Sequence, residues 1–245
     1  MRGLGIIIFG EPGIGKTSLA ARFPGPVQFF SINETGYADL ADIDEIPPGV
    51  KNEDIFSVGE LLKGIRTCKS KTIVIDGCSG IQQIYFDKAC NDCYEGDWSK
   101  FSAFSNGPRV AVPPMVVELE TLLTQKRNQG HHVILLGHMK SETKPNSMGP
   151  DTLIHTLDMD KAISGVFTKW AQAVLFMALD IEVQKSRQLG TAKAKDNTIR
   201  VMHTSTAPGH SAKNRLNLPD IIPLGDSAQT AFEAFWSKIP PAYKQ

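Results

Sequence analysis

The feature that most constrains this chain is a glycine-rich run close to its start. Residues 10–17 read GEPGIGKT and match the pattern G-x-x-x-x-G-K-[ST]. The apolar, β-branched run Leu4–Phe9 before it is typical of a buried parallel strand, and Thr17–Arg22 after it is typical of the first turns of a helix. A strand, a glycine loop and a helix in this order predict backbone N–H groups that cradle the phosphates of a nucleoside triphosphate.

The motif predicts a role for each of its residues. The lysine, Lys16, would reach the β- and γ-phosphates of ATP, and the hydroxyl of Thr17 would bind Mg²⁺. The residues expected to surround the phosphates are consecutive: Gly10, Glu11, Pro12, Gly13, Ile14, Gly15, Lys16, Thr17 and Ser18. A glycine-rich turn that matches the pattern by chance is the alternative, and it would need neither the strand nor the helix.

Length and composition favour one nucleotide-binding domain over residues 1–245. The chain has 41% hydrophobic residues, enough for a substantial core, and 26 basic residues balance 26 acidic ones. That balance excludes a protein that is basic overall, although a local basic face remains compatible with it. No stretch is apolar enough to span a membrane, and the first strand begins too early to leave room for a signal peptide. We therefore expect a cytoplasmic protein.

Hydrophobic patterning predicts alternating strands and helices, and hence an α/β fold: a mainly parallel, twisted sheet with helices on both faces. Further strands are expected at residues 27–32, 72–76, 133–138, 173–179 and 198–204, and helices at 55–69, 113–128, 162–170 and 228–238. The acidic stretch up to residue 49 and the segments 77–107 and 140–161 are expected to be irregular. Ligands of such sheets bind at the carboxyl ends of the strands.

Three polar residues stand at or just after predicted strand ends. Asp76 is expected to hold Mg²⁺, unless it only starts an Asp-Gly turn. Glu34 would polarise the water that attacks the γ-phosphate, or else it is a solvated loop acid. His138 would sense the γ-phosphate, with a structural histidine as the alternative.

The four cysteines contain one C-x-x-C pair, Cys90 and Cys93. This spacing fits half of a zinc site or a redox pair. A complete zinc site would need a second pair of ligands, and reduced thiols in or near the core are the simpler interpretation.

Cations concentrate late in the chain. Lys213 and Arg215 are two residues apart, and together they would reach the nucleotide of a neighbouring subunit or form a solvated basic turn. Residues 185–215 contain seven basic residues against the single acid Asp196: Lys185, Arg187, Lys193, Lys195, Arg200, Lys213 and Arg215. Such an excess is compatible with a face that follows a phosphate backbone. Aromatic residues in 94–104 would stack unpaired bases or pack their loop onto the core.

In this order, the motifs resemble the RecA-like ATPases, and specifically the small stand-alone RecA-like proteins of bacteriophages. The segments that carry the resemblance are Gly10–Thr17, Phe29–Glu34, Ile73–Asp76, Leu135–His138 and Lys213–Arg215. The resemblance implies that Glu34 is the catalytic glutamate and that Lys213 and Arg215 act on the adjacent subunit's site. His138 departs from the family, since RecA has a glutamine there. The family would also place DNA-contacting loops after Asp76 and after His138.

The resemblance further implies the activity and the partners. It favours a Mg²⁺-dependent ATPase that binds single-stranded DNA, forms a ring or filament with ATP between subunits, and assists phage recombination, annealing or repair in a bacterial host cell. One alternative is a nucleotide-switched assembly module for a single-strand annealing or single-strand-binding protein, with little turnover. A small-molecule kinase is another, but the segments 77–107 and 140–161 lack the arginines that its lid would need.

Overall fold

One large sheet organises the chain. The computed structural model describes residues 2–145, 151–185 and 192–244, and only the backbone of 181–185 and 192–198. The strands are β1 (Gly5–Gly10), β2 (Val27–Ser31), β3 (Val50–Asp54), β4 (Thr72–Asp76), β5 (His132–Lys144), β6 (Thr152–Leu157), β7 (Ala173–Lys185), β8 (Ala192–His203), β9 (Lys213–Asn214) and β10 (Ile221–Pro223). Their order across the sheet is β10-β8-β7-β1-β5-β4-β2-β3, with β6 paired to β5 and β9 to β7.

The six strands from β7 to β3 are mutually parallel. Strand β8 pairs antiparallel with β7, and β10 pairs antiparallel with β8. The helices are α1 (Lys16–Ala20), α2 (Gly36–Asp42), α3 (Val58–Thr67), α4 (Cys78–Tyr94), α5 (Trp98–Ser102), α6 (Val112–Asn128), α7 (Lys161–Trp170) and α8 (Ala228–Lys238). The predicted fold class, a mainly parallel sheet with helices on both faces, is confirmed.

The sheet separates two hydrophobic clusters, as the alternation of side chains along its central strand requires. In β1, Ile7 and Phe9 join the cluster beneath α3, α4, α6 and α7. Ile6 and Ile8 point to the opposite cluster, which α1 and α8 cover. Both faces of β1 are therefore buried, and the strand holds the glycine loop that follows it on a rigid base.

Segment 77–107 corrects the expectation of an irregular loop. Helix α4 begins directly after Gly77, and α5 follows it. The sequence does not predict α4, because cysteine, glycine and polar residues interrupt its apolar face and leave little helical periodicity. The segment after Asp76, where the family resemblance placed a DNA-contacting loop, therefore begins with a helix.

Segment 140–161 is also more regular than expected within its described residues. Strand β5 continues without a break past His138 to Lys144 and pairs antiparallel with β6. The acidic stretch before residue 50 likewise contains helix α2, and the polar strand β3 follows it at the edge of the sheet. Polar edge strands lack the apolar run by which buried strands are recognised.

The basic stretch 185–215 lies only partly within the described residues. Residue 187 lies outside them, and the side chains of residues 185, 193, 195 and 196 are not described. The backbones of β7 and β8 form an antiparallel pair that extends to Lys185 and Ala192. Among the described helices, none has the length and apolar character needed to cross a membrane.

Candidate active site

The glycine loop lies at the carboxyl end of β1, in the middle of the parallel sheet. Ile14 is buried in the core and fixes the centre of the loop, while Glu11, Pro12 and Gly13 are exposed. Gly10 packs so closely on β7 that a side chain there would collide with the carbonyl oxygen of Met177. The loop is thus held at both ends, and its tip faces solvent.

Lys16 starts α1 and is buried. Its Nζ donates hydrogen bonds to the carbonyl oxygens of Gly10, at 3.1 Å, and Glu11, at 2.8 Å. Burial lowers the pKa of Lys16, and the nearby carboxylates of Asp76 and Glu34 oppose that shift. The ammonium group therefore lies inside the curl of the loop, where a phosphate of bound ATP would satisfy it.

Thr17 and Asp76 meet as the motif predicts. The hydroxyl of Thr17 donates a hydrogen bond of 3.0 Å to Oδ2 of Asp76, the last residue of β4. Gly36, at the start of α2, packs against this pair, and a Cβ there would lie 2.7 Å from the Thr17 hydroxyl. No sequence pattern predicts this role of Gly36, because it depends on a contact between distant segments.

Asp76 is a buried carboxylate with an unfavourable charge. Burial raises the pKa of Asp76 to about 6; the hydrogen bond from Thr17 opposes this shift, and the charge of Glu34 adds to it. A hydroxyl and a buried carboxylate side by side are oxygen ligands of the kind Mg²⁺ prefers. The pair therefore fits a magnesium ion, which would compensate the charge of Asp76.

Glu34 and His138 form a pair beside the lysine. Nε2 of His138 lies 3.2 Å from the carboxylate of Glu34, which stands three residues after the end of β2. The Nδ1 atom of His138 is buried and has no partner among the described residues. Glu34 is thus connected to β5, the strand that continues into the β5–β6 hairpin.

These side chains line one cleft of about 440 Å³. Its walls also include Thr35, Gly36, Asp39 and Leu40 from the α2 region, a part of the site absent from the sequence analysis. Nine of the predicted site residues line the cleft: Pro12, Gly13, Gly15, Lys16, Thr17, Ser18, Glu34, Asp76 and His138. Their catalytic roles stay predictions.

Lys213 and Arg215 lie elsewhere, on and after the short strand β9. β9 pairs with the first residues of β7, at the edge of the sheet opposite the glycine loop. Nζ of Lys213 donates to three carbonyl oxygens at the end of α7, those of Thr168 (2.5 Å), Lys169 (3.1 Å) and Ala171 (2.6 Å). Arg215 is exposed. Lys213 thus caps α7, whereas Arg215 is oriented to solvent.

The aromatic segment divides into a packed part and an exposed part. Phe101 is buried and contacts Phe86, Tyr94 and Trp98 at ring-centroid distances of 5.1–5.7 Å. Phe104, in contrast, is 95% exposed, and its backbone has a positive φ of 51°. Such a backbone is uncommon for a residue other than glycine.

The C-x-x-C pair lies within α4, where Cys90 is buried and Cys93 is exposed. Among the described residues, no three His, Cys, Asp or Glu side chains are grouped in a way that would hold a metal ion.

The phosphate loop, its buried lysine and the Thr17–Asp76 pair define a P-loop nucleotide-binding domain. Residues 2–216 match the model of AAA_24, an AAA domain family, and the chain belongs to that family. No curated protein matches the sequence.

Two solved structures resemble the chain distantly. The flagellar accessory protein FlaH from Methanocaldococcus jannaschii is 12% identical, with 91% of this chain and 85% of that chain covered and a TM-score of 0.49. The RadB recombinase is 10% identical, with 91% and 88% covered and a TM-score of 0.48. Similarity at this level carries no statement about function.

Proposed function

We propose that this protein is a Mg²⁺-dependent ATPase. The observation that carries the proposal is the convergence of Lys16, the Thr17–Asp76 pair and Glu34 on one cleft at the carboxyl edge of the sheet. A buried cation, a metal-binding pair and a carboxylate for water are the parts that phosphoryl transfer to water requires. The family membership supports nucleotide binding by the same loop.

Each side chain has a separate task in this proposal. Lys16 exchanges its two loop carbonyls for phosphate oxygens, and Thr17 with Asp76 would hold Mg²⁺, which supplies charge neutralisation when bound. Glu34 accepts a hydrogen bond from the attacking water and orients it. His138 holds the Glu34 carboxylate through Nε2 and connects its position to the β5–β6 hairpin.

The proposal extends to single-stranded DNA and to the recombination, annealing or repair of phage DNA. The exposed ring of Phe104 supports it, because unpaired bases stack on such rings. Phe104 follows α4 and α5, and α4 begins two residues after Asp76, so the segment that carries the ring continues from the nucleotide site. In this scheme, subunits assemble around ATP and Arg215 acts on the neighbouring site.

The test is ATP hydrolysis by the wild type and by Lys16→Ala, each with and without single-stranded DNA. We expect Mg²⁺-dependent hydrolysis that DNA stimulates, and its loss in the variant. The matched control is Lys63→Ala, which removes an exposed lysine of α3. Hydrolysis that persists in Lys16→Ala would overturn the ATPase proposal, and hydrolysis indifferent to DNA would overturn the coupling to DNA.

One observation favours the second candidate, a nucleotide-switched assembly module with little turnover. The Nζ atom of Lys213 is hydrogen-bonded to carbonyl oxygens at the end of α7. Of the two cations expected to act on a neighbouring site, only Arg215 therefore remains available. A site that lacks part of its transition-state charge would bind ATP and hydrolyse it slowly. ATP-dependent association with an annealing or single-strand-binding protein, without DNA-stimulated turnover, distinguishes this candidate.

A further inference from the structure

Arg200, on the strand next to the β10 edge of the sheet, has its side chain against the phosphate loop. Arg200 belongs to β8, and a Cβ built on Gly15 would lie 2.9 Å from its Nη1 atom. Gly15 itself has a φ of 97° and lines the nucleotide cleft. A side chain at position 15 would therefore press on the guanidinium group, which lies directly beside the loop.

The Arg200 guanidinium is held in a fixed orientation. Its Nε and Nη2 atoms both donate to the carbonyl oxygen of Gly225, at 3.2 and 3.0 Å. The next residue toward the N-terminus, Leu224, donates its N–H to the backbone oxygen of Arg200 at 2.8 Å. Ser227 and Thr230 then form the capping box of α8, so the Gly225 turn is tied to a helix. Two nitrogens are thus occupied, and Nη1 is directed toward Gly15.

No carboxylate in the described part of the chain lies within ion-pair distance of Arg200. Within the described residues, the hydrogen bonds of its guanidinium group all go to the carbonyl oxygen of Gly225. A half-buried guanidinium without a counter-charge is suited to receive a ligand beside the loop.

The order of strands decides which part of the nucleotide faces Arg200. Asp76 ends β4, Glu34 follows β2 and His138 lies within β5. These three strands all lie on one side of β1. Arg200 is on β8, on the other side of β1, opposite Leu179 of β7. A triphosphate whose γ end faces the metal pair and Glu34 must leave the loop with its nucleoside toward β7 and β8.

We propose that Arg200, held by Gly225, binds the nucleoside of the bound nucleotide, with its guanidinium plane against the base and sugar. This inference rests on the proposed nucleotide site. The loop motif accounts for the phosphates of the nucleotide, and the inference assigns a residue that binds its base and sugar. It also separates Arg200 from the other cations of the basic stretch, because its position serves the ATP site rather than a DNA face.

The test compares a ligand that has a nucleoside with one that lacks it. ADP and inorganic tripolyphosphate are titrated against the wild type, Arg200→Ala and Lys16→Ala by calorimetry. Loss of a guanidinium contact should weaken ADP binding about tenfold and leave tripolyphosphate binding unchanged. Lys16→Ala should weaken both ligands, and the matched control Arg109→Ala, an exposed arginine before α6, should weaken neither.

The outcomes separate this inference from the proposed function. An equal loss of both ligands in Arg200→Ala would mean that Arg200 only shapes the loop, and unchanged ADP binding would mean that it has no contact; either result overturns the inference. If Lys16→Ala binds both ligands normally, the nucleotide site itself is wrong. Arg200→Lys keeps the charge and stem and should show the same selective loss, in case Arg200→Ala does not fold.

Discussion

At the scale of single residues, the site contains a buried carboxylate, that of Asp76, which does not favour the folded state. Asp76 is almost fully buried at the end of a strand, directly after the three apolar residues Ile73, Val74 and Ile75. Removing a carboxylate from water raises its pKa, and each unit corresponds to about 1.4 kcal/mol between the protonation states. The hydrogen bond from Thr17 offsets only part of this cost, since the pKa remains raised to about 6. Function, rather than stability, explains the aspartate.

The first prediction concerns Asp76→Asn. Between the ordinary aspartate pKa and about 6, the folded state binds more protons than the unfolded state, so stability falls as the pH rises through this window. In the absence of Mg²⁺, the neutral amide should therefore be more stable than the carboxylate above about pH 7, by about 3 kcal/mol. The advantage should disappear toward about pH 4, where Asp76 is protonated. Urea unfolding at both pH values measures the difference.

The control for this measurement is Asp42→Asn, which neutralises an exposed aspartate of α2 and should change stability little at either pH. Added Mg²⁺ should stabilise the wild type and not Asp76→Asn. An Asp76→Asn protein that is less stable than the wild type at neutral pH without Mg²⁺ would contradict the argument.

The second prediction separates the two late cations. Lys213→Ala removes the donor to three carbonyl oxygens at the end of α7 and should cost about 1 kcal/mol of stability. The melting temperature should then fall by about 3 °C. Arg215→Ala removes an exposed side chain and should leave the melting temperature unchanged. Thermal unfolding of both variants checks this, and equal melting temperatures would show that Lys213 does not stabilise α7.

At the scale of elements, burial decides what the sequence reveals. Strand β4 matches the predicted residues 72–76, and helix α8 matches 228–238, because each has an apolar pattern and clear limits. Helix α4 was missed because polar residues interrupt its apolar face, and β3 because an edge strand stays polar. A periodic pattern of apolar residues indicates only that an element packs on the core, so elements that pack weakly are missed.

The candidate site divides in the same way. Asp76 and Glu34 were predicted because parallel strands end together, so position along a strand implies proximity. Gly36 and Arg200 were not predicted as parts of the site, because their positions depend on how α2 and β8 pack against the loop. The sequence predicted Lys213 as a partner of a neighbouring site, and its packing on α7 is visible only in three dimensions.

The third prediction belongs to the segment between α4 and α6. Phe104→Ala should weaken binding to single-stranded DNA about tenfold, because stacking of one base on an aromatic ring contributes about 1–3 kcal/mol. Phe104 is 95% exposed, so its removal should leave the melting temperature unchanged. Fluorescence anisotropy with a labelled oligonucleotide measures the affinity. The matched control is Phe56→Ala, an exposed phenylalanine before α3; equal losses in both variants would exclude a specific role for Phe104.

At the scale of the whole molecule, charge and topology favour a site completed by a second subunit. Arg215 lies beyond β9, whose pairing with the start of β7 puts it at the edge of the sheet away from its own loop. An exposed arginine at that end of the strands lies away from its own cleft, so in the proposed assembly it would act on the cleft of a neighbour. The balanced net charge adds no overall repulsion between copies.

The last prediction tests the shared site directly. Lys16→Ala and Arg215→Ala should each lose most ATP hydrolysis. Lys16→Ala lacks the lysine that binds the phosphates in its own loop, and Arg215→Ala lacks the arginine that acts on the neighbouring subunit's site. When the two inactive proteins are mixed and allowed to exchange subunits, a site between an Arg215→Ala loop and a Lys16→Ala neighbour contains both intact residues. Random mixing gives about one such site in four, so about a quarter of the wild-type rate should return. A site formed within one chain would regain nothing on mixing, and full activity of Arg215→Ala alone would remove Arg215 from the mechanism.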